Sequence, residues 1–343
     1  MAIANTDITY RKSATVNDTT ANGGVMGDTT ALITNNVAEN VWPHIPEAER
    51  LTGSTKYRKV FVRIAPATTT KASNTRVFLD KHTPGDDRIL LAWAGNLLAS
   101  QTDTQAEAVG YIRFYGGADL NANAAAGASS LSVTVEHVAD AIFRDNDLIR
   151  ITNKTTFNAT SGAEEFVRLA STNAVLWNGN TATLTLAPGV TLTNAYTVAE
   201  GTRVQSVIEV GEVEPSVSGF TNNGSGTFDS LNYPITGTSK GSVEESWTLT
   251  FTGPGAYSVT GTRYGMVDNG TVASRFAPSS PSGAPFFIIE TLAWTTLSWT
   301  PGDTITFNTH PSAVGIWEKR IVPAGAAAIA ANSATLVCTL QSA

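Results

Sequence analysis

The chain has 343 residues, of which 42% are apolar and only 15% charged, and its formal net charge is −7. That much apolar side chain excludes a disordered protein. Thr supplies about one residue in seven and joins abundant Gly, Asn and Ser, a mixture of strand and turn formers that excludes a long coiled coil or a helical repeat. Residues 1–100 carry about +2 and the remainder about −9. An acidic chain of this kind is not expected to wrap nucleic acid.

A single cysteine, Cys338, leaves no internal disulfide framework, and no Cys/His spacing suggests a metal, so no cofactor is expected. The opening run Met1 to Asp7 lacks the charged-then-apolar pattern of a secretory signal. Apolar stretches such as Ile89 to Ala94 are too short to span a bilayer. A cytoplasmically made chain with no membrane partner is the expectation.

Residues 1–50 are poor in apolar side chains and read as an extended N-terminal arm. Asp28 is placed to cap a short helix on which Ile33, Val37 and Val41 would form one apolar stripe for docking onto a neighbouring subunit. Residues 51–107 read as a β segment that packs with the C-terminal part. Its first strand, Lys56 to Ile64, puts Arg58, Val60, Val62 and Ile64 on the more apolar face. The tetrapeptide Thr83-Pro84-Gly85-Asp86 returns as Thr300-Pro301-Gly302-Asp303, and both fit a type II turn.

Residues 108–212 read as a small, self-contained β module. Tyr111 to Tyr115 leads in, and short strands follow at Leu131 to Val133, Leu148 to Ile151, Glu165 to Leu169 and Thr181 to Leu186. Residues 213–343 read as a β-sandwich-like domain, in which Trp247, Leu249 and Phe251 alternate with threonines and Trp294 and Trp299 supply core. The fold class expected is therefore mainly β and multi-domain, built of small barrel or sandwich modules.

Catalytic chemistry is sparse. Gly237-Thr238-Ser239-Lys240-Gly241 fits a nucleophile elbow, but the run after it reads as a strand where the motif requires a helix. His82 with Asp86 and Asp87 reads as a polar turn rather than a metal or acid–base site. Asp145 and Asp147 lack the glycine and distal glutamate of a calcium loop. The basic cluster Lys56, Arg58, Lys59 and Arg63 has two main readings. One is a strand edge protected by charge, and the other is an interface with an acidic segment such as Glu209, Glu212 and Glu214. Together with Ile33, Val37 and Val41 these basic residues are the candidate interface.

The middle module, through Gly127 to Val133, Asp147 to Ile151, Glu165 to Leu169, Leu184 to Leu186 and Ala195-Tyr196, resembles a module that recurs in virion proteins of tailed bacteriophages. The usual Gly-Asp before its apolar strand is Asn146-Asp147 here. The flanks resemble a structural family of contractile-tail phages, on Ile8 to Ser13, Gly53 to Phe61, Phe307 to Pro311 and Val322 to Gly325. The resemblance implies a non-enzymatic tail or baseplate subunit that forms a homo-oligomeric ring among other virion proteins and ends in the virion. It transfers no catalytic residue. A carbohydrate-binding tail adhesin, for which seven Trp and eight Tyr could stack on sugars, and a head decoration protein are the alternatives.

Overall fold

The computed structural model describes residues 2–68, 70–102, 113–296 and 298–343. The expected boundary between 107 and 108, and Tyr111 and Ile112, lie outside the described residues. The early strands are β1 (Ile8–Thr15), β2 (Gly23–Met26), β3 (Ser54–Ile64), β4 (Ala72–Lys81) and β5 (Arg88–Ala94), with a short helix α1 (Glu47–Thr52) before β3. The middle of the chain forms β6 (Gly117–Leu120), β7 (Ser130–Thr134), β8 (Leu148–Thr152), β9 (Glu164–Arg168), β10 (Val175–Asn178), β11 (Thr181–Thr185) and β12 (Arg203–Ser206). Then come β13 (Ile208–Val213), β14 (Ser216–Asn223), β15 (Thr236–Gly237), β16 (Glu245–Phe251), β17 (Ala256–Gly261) and β18 (Gly265–Thr271). The last are β19 (Phe287–Ile288), β20 (Thr304–His310), β21 (Ala313–Val322) and β22 (Thr335–Ser342). The protein is mainly β.

Three cores organise these strands. The first lies between the sheet β2-β1-β3-β21-β5 and the sheet β13-β4-β22. Val60, Val62 and Ile64 of β3 meet Val77 and Leu79 of β4 there, together with Val314 and Ile316 of β21, so the apolar face of β3 is buried as its alternation requires. The second core fills the curled seven-stranded sheet β10-β11-β7-β6-β12-β8-β9. The chain just past edge strand β9 meets the chain just past β11 where Leu169 bridges Leu186. The third is aromatic and lies on the sheet β14-β20-β16-β17-β18, where Trp247, Trp294 and Trp299 are buried with Phe251, Tyr257 and Phe287. Phe251 and Trp299 stack with centroids 4.0 Å apart. The backbone at Gly226 runs so close to the Trp299 ring that a Cβ there would lie 2.1 Å from it, which leaves room only for glycine.

Several expectations are corrected. Asp28 caps a single 3-10 turn, Thr29–Ala31, and no helix carries Ile33, Val37 and Val41. Asn36 and Glu39 have left-handed φ of 60° and 57°, which breaks any helical continuation. Segment 1–50 is also part of the subunit's own sheet, because β1 pairs with β3 from Ile8↔Ile64 to Lys12↔Val60. Strand β3 is not an edge, since β21 flanks its other side from Ala313↔Arg63 to Val322↔Ser54. Strands β21 and β22 leave the aromatic unit and complete the first pair of sheets against β3, β5 and β4. Of the two Pro-Gly turns, Gly302 has the positive φ of type II (97°), whereas Gly85 does not. The first turn is instead held from outside: Asn332 Oδ1 accepts the Gly85 N–H, and Asp86 accepts the Ala327 N–H at 2.7 Å.

Candidate functional site

The four basic residues of β3 all find partners within the chain. Lys56 Nζ lies 2.9 Å from Asp18 and 2.7 Å from Glu49. Arg58 Nη2 pairs with Asp18 at 2.5 Å, and its Nη1 donates to the Asn17 carbonyl at 2.9 Å. Lys59, nearly fully buried, donates to the carbonyls of Asn96, Leu97 and Ala99 at 2.9–3.0 Å and so ties down the stretch after β5. Arg63 donates to the carbonyl of Lys240. The acidic segment considered for this cluster pairs elsewhere, with Glu209 on Arg168 and Glu214 on Lys71. Lys59 and Arg63 tie β3 to the stretch after β5 and to Lys240, while Lys56 and Arg58 cross-link it to the 17–49 segment.

Trp42 is the centre of that connection. Two guanidinium groups lie over its ring, Arg58 at 4.8 Å and Arg320 at 4.6 Å from the ring centroid. Its indole N–H donates to Glu318 Oε2 at 2.7 Å. Arg320 also donates to the Pro43 carbonyl at 2.9 Å and reaches Glu49 at 3.4 Å. Arg58 and Glu318 are cross-strand neighbours, so the sheet itself sets this geometry. Burial pushes the Glu318 carboxyl up from 4.5 to about 7, against the opposing pull of the Trp42 N–H and the Arg58 charge.

A carboxyl raised on folding binds its proton more tightly in the native state, so its contribution to stability is greatest below about 4.5 and is lost as pH rises to about 7. Glu318→Gln keeps an acceptor for Trp42 and removes that titration. Urea unfolding should show the variant gaining on the wild type between pH 4.5 and pH 8. A difference that stayed constant with pH would contradict the assignment.

The remaining sequence candidates are structural. His82 lies 3.7 Å from Asp119, while Asp87 accepts from Asn332 and its carbonyl accepts from Thr83 Oγ1. Asp145 accepts the Asn173 and Ala174 N–H groups at 3.0 and 2.8 Å, and Asp147 pairs with Arg113, so neither faces a cation site. Ser239 is followed by strand β16 rather than a helix. Among the described residues no group of three His, Cys, Asp or Glu is placed to hold a metal ion. Among them, too, no helix is long and apolar enough to cross a membrane.

One constellation was invisible in the sequence. Ser218 Oγ lies 2.7 Å from His310 Nε2, and His310 Nδ1 lies 2.9 and 3.0 Å from the Glu244 carboxylate oxygens. The order hydroxyl, imidazole, carboxylate is that of a general-base relay. Here Ser218 is an exposed mid-strand residue facing Asn308 in the ladder, beside a bulge before Thr221. Its hydroxyl stands in water, and the three groups link β14, β20 and the approach to β16. Only the pairing of β14 with β20 brings them together, so no local spacing signals it.

Ile33 and Val41 pack partly buried against the first core, while Val37 is 54% exposed. Exposed large apolar side chains are spread over the chain, Leu51 and Leu176 among them, and one pair of loops carries three. Leu231 is 88% and Leu292 65% exposed, and Tyr233 lies beside Leu231. Their two loops are joined by the Asp229 N–H to Ala293 carbonyl bond at 2.8 Å and by the Phe228–Trp294 bridge. On the same unit, the outer edge strand β18 carries Met266, 61% exposed. Compared with protein families, curated proteins and solved structures, the chain matches none.

Proposed function

We propose that the chain is a non-enzymatic structural subunit of a contractile phage tail, in its baseplate region, which assembles as a ring with copies of itself and with other virion proteins. The runs that resemble the phage structural family support this reading: Ile8 to Ser13 lies on β1, Gly53 to Phe61 runs into β3, Val322 to Gly325 follows from β21, and Phe307 to Pro311 lies at the end of β20 of the aromatic unit. The observation that carries it is the pair of loops presenting Leu231, Tyr233 and Leu292. Large apolar side chains held out by ordered loops, over a rigid aromatic core, suit burial against a neighbouring subunit.

Immunogold labelling of particles tests the placement. Label on the tail end is expected, whereas label on the head would replace the reading with a head decoration protein. Selective binding on a glycan array would favour a tail adhesin. Leu231→Asp with Leu292→Asp should abolish incorporation into particles while leaving the melting temperature of the isolated chain within about 2 °C, because neither side chain is buried in the subunit. A fluorophosphonate probe should leave Ser218 unmodified. Labelling lost in Ser218→Ala would overturn the non-enzymatic part of the proposal.

A further inference from the structure

Where the β1–β3 pair meets the loops of the aromatic unit there is a cavity of about 180 Å3, lined by Thr6, Asp7, Thr9, Arg63, Lys240 and Ser282. Strand pairing places Thr9 opposite Arg63. Lys240 comes from the glycine-flanked run 237–241 that first looked like a nucleophile elbow. That run is fixed in place: Ser242 Oγ accepts the Thr238 N–H at 2.8 Å, and Thr238 Oγ1 donates to the Pro285 carbonyl. The Lys240 carbonyl takes bonds from Arg63 and from Ser282 Oγ at 2.8 Å, and Lys240, an exposed residue, lines the cavity.

Two cations, Arg63 and Lys240, and one carboxylate, Asp7, line this cavity. Among the described residues no ion pair includes Arg63 or Lys240, although Lys56, Arg58, Arg150 and Arg320 each have a carboxylate. Burial and the nearby Arg11 charge push the Arg63 guanidinium down to about 10, so it is still a cation at neutral pH but one placed at a cost. A half-buried guanidinium has five donors, and an anion with two acceptor oxygens is its natural partner. Asp7 is occupied by the Ala4 N–H at 2.9 Å. Its negative charge disfavours a bare dianion, but the carboxylate can accept from a ligand hydroxyl.

We propose that this cavity binds an oxyanion, the carboxylate or phosphate group of a small ligand, between Arg63 and Lys240. The volume is below that of a drug-sized pocket and suits a ligand no larger than one sugar ring or a phosphoryl group. A bound anion would join the first sheet to the aromatic unit. The proposal stands independently of the virion reading.

Calorimetric titration of the full chain at constant ionic strength, with inorganic phosphate, glucuronate, glucose and chloride as probes, tests it. Saturable binding of phosphate or glucuronate is expected, with none of glucose. Binding of glucuronate alone assigns a carboxylate ligand, and binding of phosphate alone a phosphoryl one. Lys240→Ala removes an exposed side chain and should weaken binding about tenfold without changing the melting temperature; Arg63→Gln should weaken it at least as much. Asp7→Asn should tighten phosphate. Equal affinity in the wild type and Lys240→Ala, or no saturable binding of either oxyanion beyond chloride, would overturn the proposal.

Discussion

Arg150→Leu is expected to destabilise the protein by about 3–5 kcal/mol, the usual cost of removing one partner from a buried ion pair. Arg150, on β8, is fully buried. Its guanidinium pairs with Asp80 on β4 at 2.6 Å and with Glu164 on β9 at 2.5 Å, and donates to Gln205 on β12 at 3.1 Å. The Phe78 ring lies 4.7 Å away and closes off the remaining side. Without the arginine, Asp80 keeps only a long contact to Arg203 at 3.5 Å while its side chain stays 2% exposed. Urea unfolding measures the loss. Arg150→Leu combined with Asp80→Leu should recover part of it, because no uncompensated charge then remains. A single-variant effect under about 1 kcal/mol would show that the network is not buried as described.

The same network makes the middle unit less separable than its strand pattern suggests. Arg203 and Gln205 both donate to the Asp80 carbonyl, and the second core includes Leu90 while Ile321 packs against it. Cut out alone, residues 113–207 would leave the Arg150 cluster open to water.

Deleting residues 2–46 is the second large effect. The deletion removes β1 and β2, the half-buried Ile8, Tyr10, Ile33 and Val41, and the Trp42 contact. It leaves β3 with one unpaired side and Glu318 without its indole donor. Each apolar side chain is worth up to about 1.5–3 kcal/mol when fully buried. A total loss above roughly 5 kcal/mol is therefore expected, comparable to the whole stability of an ordinary domain. The melting temperature should fall by roughly 10 °C or more. An unchanged melting temperature would return the segment to the role of a detachable arm.

What the sequence made legible was periodic and local. The alternation of Trp247, Leu249 and Phe251 on β16, and of Val60, Val62 and Ile64 on β3, identified buried faces because one strand suffices to set them. Asn146, just before β8, has φ of 63°, a conformation that asparagine tolerates. What failed was anything requiring a distant partner. The four-residue spacing of Ile33, Val37 and Val41 imitates a helix, yet two left-handed residues interrupt it and the side chains are placed by the sheet they cover. The basic run on β3 looked like surface because its counter-charges, Asp18 and Glu49, come from another segment. Ser218, Glu244 and His310 lie as much as 92 residues apart and meet only across the ladder.

The pairing of β3 and β5 with β21, and of β4 with β22, has a consequence during synthesis. When Ala94 leaves the ribosome, the strand that must fill the gap between β3 and β5 has not yet been made, and the whole of β6 to β20 intervenes. At about 5–20 residues per second that interval lasts roughly 10–45 s. The curled sheet and the aromatic unit can close meanwhile, so the part translated first is completed last. Throughout that wait Val60, Val62, Leu90 and Leu91 stand on strands with open edges, a template for pairing with another nascent chain. Crowded polysomes producing this protein should therefore yield aggregates seeded by residues 54–94, and a chaperone that holds that segment should raise the folded yield more than one acting after release.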